Sequence, residues 1–80
     1  MKYIIFEDFS GRPIPIIFPE RITFEELREQ MPYARALSGG RVSLKQGRFV
    51  CSGSAGNLGL TPAHNDADIL TEAFHEREEL

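Results

Sequence analysis

Eighty residues, 41% apolar and 26% charged with a formal net charge of −3, describe one small globular domain spanning residues 1–80 and leave no room for a second. A single cysteine excludes an internal disulfide, and no apolar stretch approaches the roughly 20 residues that a membrane span needs. A chain of this length buries only about 60–65% of the surface it exposes when unfolded, so the core is thin; a homodimer would bury more, and a monomer is equally allowed.

Lys2–Asp8 reads as a strand, because Tyr3, Ile4, Ile5 and Phe6 form a continuous apolar run that needs cover on both faces. The same segment meets Glu7-Asp8 before a signal-peptide core develops, so the expected compartment is a reducing cytoplasm. Ser10-Gly11 marks a hairpin turn. Ile14, Ile16 and Phe18 then alternate with Pro13 and Pro15, whose missing N–H donors place this second strand on a sheet edge. Thr23-Phe24-Glu25-Glu26 is a capping box, and Phe24, Leu27 and Met31 form the buried stripe of a helix that Pro32 ends. Ser38-Gly39-Gly40 is expected to break the chain. Arg41–Lys45 and Arg48–Cys51 make a second hairpin about Gln46-Gly47. A last helix opens at Thr61-Pro62 or Asn65-Asp66, with Ile69, Leu70, Ala73 and Phe74 as its buried stripe. The fold class is α+β, in the order β-β-α-β-β-α: a four-stranded antiparallel sheet with both helices on one face. Six Phe and two Tyr are expected to supply much of the core volume.

Charge is segregated. Residues 30–65 carry Arg35, Arg41, Lys45 and Arg48 and no acid, whereas residues 66–80 carry six acids against Arg77 alone. Either the acidic tail lies over the basic strands or the two ends steer charged partners. Asp68, Glu72, Glu76 and Glu79 make one row of carboxylates that fits a partner's basic groove or is simply a solvated helix face. Gly53, Ser54, Gly56, Asn57 and Gly59 form a loop that either presents backbone N–H groups to a ligand or, pinned by Leu58 and Leu60, is a shaped crossover. It lacks the lysine of a P-loop and the βαβ setting of a dinucleotide fingerprint. Arg41, Lys45 and Arg48 are the anion-contact residues of an alternative reading, the sequestering of a small anionic nucleotide. No interleaved aromatics accompany them and the isoelectric point is near 5.3, which argues against direct nucleic-acid binding.

Cys51, His64, Asp66 and His75 lack the spacing of a zinc site or of a nucleophile–base pair, so no catalytic residue, metal or cofactor is expected. The chain resembles small uncharacterised proteins encoded by bacteriophages and prophages in three features. These are the opening Lys2-Tyr3-Ile4-Ile5-Phe6-Glu7-Asp8, the step Phe18-Pro19 before the first helix, and Leu58-Gly59-Leu60 before an acidic helix. The resemblance implies a non-enzymatic accessory role in the cytoplasm of a bacterial host, with an unidentified protein partner, and assigns no site residues.

Overall fold

The structure, a computed structural model, describes the backbone of residues 1–78 and the side chains of residues 1–74. Strands β1 (Lys2–Glu7), β2 (Pro13–Phe18), β3 (Arg35–Lys45) and β4 (Arg48–Ser52) form one antiparallel sheet in the order β2-β1-β3-β4. Helix α1 (Phe24–Glu29) follows β2 and helix α2 (Asp66–Glu78) follows β4, which gives the expected β-β-α-β-β-α.

Local chemistry accounts for most boundaries. The Thr23 hydroxyl accepts from the Glu26 N–H at 3.0 Å, and the Glu26 carboxylate accepts from the Thr23 N–H at 3.2 Å, so both orphan donors are satisfied at the start of α1. The prolines of β2 lie on a strand with one neighbour only, where a missing donor breaks no ladder. Gln46 and Gly47 both have positive φ, 51° and 76°, as a two-residue type I′ turn requires. Of the two candidate starts for the last helix, Asn65-Asp66 is the one used: the Ile69 N–H donates to the Asn65 carbonyl at 3.1 Å.

The helices do not share a face, which corrects the expected layering. Alternation along β1 sends Ile4 and Phe6 to one side, where Phe18, Phe24 and Ala55 complete a core. It sends Tyr3 and Ile5 to the other, where Val42 and Leu70 complete a second. Helix α1 covers the first core and α2 the second. The physical reason lies in the apolar run of β1. All of Tyr3–Phe6 is buried, and a sheet covered on one side only would leave Tyr3 and Ile5 in water.

Nor does Ser38-Gly39-Gly40 break the chain; it lies inside β3, paired with Ile5, Ile4 and Tyr3. The two glycines are there because the chain passes close on both sides. A Cβ on Gly39 would stand 3.2 Å from that of Ala55, and one on Gly40 only 2.6 Å from the Ser52 carbonyl oxygen and 3.1 Å from Pro62. Strand β4 pairs only with Arg41–Lys45. Beside the first half of β3, on the edge away from β1, residues 53–62 cross from the face of Ala55 to the face of Pro62 and deliver α2 to the second core.

Candidate functional site

The glycine loop is a clasp. Gly53, Gly56 and Gly59 all have positive φ (74°, 55° and 72°), and the turn between them is a short 3-10 helix, Gly56–Leu58. Inside it the Ala55 N–H donates to the Leu60 carbonyl at 3.0 Å and the Leu58 N–H to the Ala55 carbonyl at 3.1 Å, so these two amides are occupied within the loop. Ala55 is fully buried, and Leu58 and Leu60 pack on the α1 core. Ser54 and Asn57 are exposed at its rim.

Register brings the basic residues together. Arg41, Ser43 and Lys45 lie on one face of β3, with Arg48, Val50 and Ser52 beside them on β4. This is the face opposite the one that α2 covers, so Asp66, Asp68 and Glu72, the described acids of that helix, do not lie over them. Arg41 pairs instead with Glu20. Desolvation raises the Glu20 pKa, but the Arg41 guanidinium, the chain's amino terminus and Lys2 outweigh it and hold the carboxyl below its usual value. On α2, Asp68 and Glu72 are exposed, whereas the side chain of Glu76 and all of Glu79 lie outside the described residues, as does the side chain of His75.

A polar cluster joins the second core to α2. Asp66 is 1% exposed; its carboxylate accepts from the Tyr3 hydroxyl at 2.6 Å, the Ser38 hydroxyl at 2.8 Å and the Ala63 N–H at 2.9 Å. Burial first, and then the hydrogen bond to Asp66, raise the Tyr3 pKa well above that of an ordinary phenol. Cys51 borders this cluster. Burial pushes its thiol pKa up; the Tyr3 hydrogen bond opposes this and the Asp66 charge adds to it. A thiol so held stays protonated at neutral pH and is a poor nucleophile. These groups fasten the first turn of α2 to the central strands. Among the described residues no three His, Cys, Asp or Glu side chains converge to hold a metal ion.

The feature that sequence reasoning missed is aromatic. Phe9 and Tyr33, counted above with the core, are 91% and 83% exposed. They flank an apolar cleft of about 260 Å³ whose walls include Ile14, Met31 and Pro32. The Asp8 carboxylate organises one wall: one of its oxygens accepts from the Ser10 hydroxyl at 2.7 Å and from the Ser10 and Arg12 N–H groups, each at 2.9 Å. The Ser10 hydroxyl first, then the Arg12 amide, hold the Asp8 pKa below its usual value. The turn thus fixed extends Phe9 into water. Position was the available signal: each aromatic lies inside a turn, Phe9 beside Ser10-Gly11 and Tyr33 after Pro32, where neither sheet nor helix can turn it inward.

No family model, curated protein or solved structure matches the chain.

Proposed function

We propose that the chain is a non-enzymatic protein-interaction module, an accessory factor of the phage and prophage kind it resembles, that inhibits or modulates a host factor. It grips its partner through the cleft between Phe9 and Tyr33. The observation that carries this reading is the exposure of two large aromatics on either side of one apolar depression. Aromatic side chains left in water around an apolar cleft find their free-energy minimum against another protein, and Tyr is among the residues most enriched at binding hot spots. The occupant is a segment presenting an aliphatic or aromatic anchor, because the wall is apolar and the one carboxylate on it, that of Asp8, is engaged in its own turn.

The acidic row now ranks second. Asp68 and Glu72 are exposed and free to steer a basic partner, but the depression that Glu72 shares with Pro13 and Pro15 is bordered by a cation, Arg12. Nucleotide sequestration has less support: Arg41 is paired with Glu20, the loop uses two of its amides internally, and Lys45 and Arg48 stand on an open sheet face.

Affinity capture from bacterial lysate tests the reading when wild type, Phe9→Ala/Tyr33→Ala and Glu72→Lys are compared by mass spectrometry. The expected result is one protein retained by wild type and Glu72→Lys and lost from the double variant. Each aromatic truncation should weaken binding by about 30-fold, the equivalent of about 2 kcal/mol. A partner held equally by the double variant, or lost only from Glu72→Lys, overturns the assignment to this cleft.

A further inference from the structure

We infer that β4 is a self-pairing edge: it joins antiparallel to β4 of a second copy, so that one sheet runs through a two-fold dimer. The two edges of the sheet differ in kind. Strand β2 carries Pro13 and Pro15, which cannot donate to an added strand. Strand β4, Arg48-Phe49-Val50-Cys51-Ser52, has no proline, and among the described residues no strand pairs with its outer side.

The hydrogen-bonding groups on that outer side follow from the turn. In a two-residue type I′ hairpin the flanking residues, here Lys45 and Arg48, form a hydrogen-bonded pair, and such pairs recur at every second position. Arg48, Val50 and Ser52 therefore turn their backbone groups toward β3, and Phe49 and Cys51 turn theirs outward. Val42 provides an independent check. It stands opposite Cys51, and its own N–H and carbonyl bond to Met1 on the other side, at 2.8 Å and 3.1 Å.

A two-fold axis through Val50 uses all of these groups. Phe49 then pairs with the partner's Cys51 and Cys51 with the partner's Phe49, and each pair exchanges an N–H and a carbonyl in both directions. Val50, 40% exposed on an otherwise polar face, closes on its twin. Arg48 stands opposite the partner's Ser52, so no like charges meet across the seam. Of the described side chains of α2, Phe74 leans on Phe49 and Glu72 lies on the far flank with Arg12, Pro13 and Pro15. The five-residue edge is complementary to itself, with an uncharged centre and ends that match in the antiparallel sense, and this makes a second copy its occupant. Because the β2 edge is blocked, the assembly closes at two.

Sedimentation equilibrium over a concentration series should show a mass rising from 9.0 kDa toward twice that value. Val50→Lys, which sets two ammonium groups on the axis, should raise the dissociation constant by about tenfold or more and leave the remaining amide spectrum in place. In a Cys51→Ser background, Val50→Cys should oxidise to a covalent dimer, whereas Arg48→Cys, which faces Ser52, should not. A chain that stays at single mass throughout overturns the inference, including one whose β4 amides respond to an added extended peptide. So does a dimer that survives Val50→Lys, or one that cross-links through position 48 in preference to 50.

Discussion

Asp66 is an ionisable side chain inside an apolar layer, and it is tolerable there because three donors meet it. Two of those donors, Tyr3 and Ser38, come from adjacent central strands, so the carboxylate ties the first turn of α2 to the middle of the sheet. Tyr3→Phe removes one donor and should cost about 1.5–3 kcal/mol at neutral pH, the range for hydrogen bonds to charged groups. The folded chain keeps the phenol protonated to higher pH than the unfolded chain does. Its contribution to stability is therefore complete below the ordinary tyrosine value of about 10 and is lost as the pH climbs from there toward the raised folded value. Urea titrations at neutral and alkaline pH should show the difference between wild type and Tyr3→Phe narrowing in alkali. A constant difference would show that Tyr3 is not the group responsible.

Among the elements, β3 separates what the amino-acid order discloses from what it hides. The capping box of α1, the prolines of β2 and the Gln46-Gly47 turn are written in residues whose chemistry acts within a few positions, and each was legible. Gly39-Gly40 was not, because two adjacent glycines look the same whether they end a strand or thin one. What decides is a contact with Ala55 and Pro62, sixteen and twenty-two positions downstream respectively. The cleft of Phe9 and Tyr33 was obscured likewise, since an aromatic counts as core until its turn is seen to hold it outside. Gly40→Ala drives a methyl into the Ser52 carbonyl, which is backbone and cannot swing away. It should destabilise by about 1–3 kcal/mol, the range for overpacking, with the largest amide shifts at Ser52 and Pro62 neighbours in two-dimensional NMR. A substitution without cost would mean that the crossing is looser than described.

At the scale of the whole molecule, β1 is the wall common to both cores. Ile4 belongs to one and Ile5 to the other, and both are buried. Ile4→Ala and Ile5→Ala should each cost about 2–5 kcal/mol, a large share of the total stability of a domain this size. Amide probes in α1 and in α2 should lose structure at a single temperature in either variant. Separate transitions on the two faces would contradict a shared wall. The sequence did announce this wall, in the unbroken run Tyr3–Phe6, but the choice of which helix covers which face depends on where residues 53–62 cross, and no local pattern encodes that.

The crossing also imposes a timetable. Residues 53–62 are slung over the bare half-edge of β3 as a strap is slung over a saddle, and the saddle has to exist before the strap can lie on it. During synthesis from the N-terminus, α2 is thus the last part to seat, after the central strands have found one another. Until it does, the pocket awaiting Leu70 stays open, and a polypeptide cut short after Ser52 keeps it open for good.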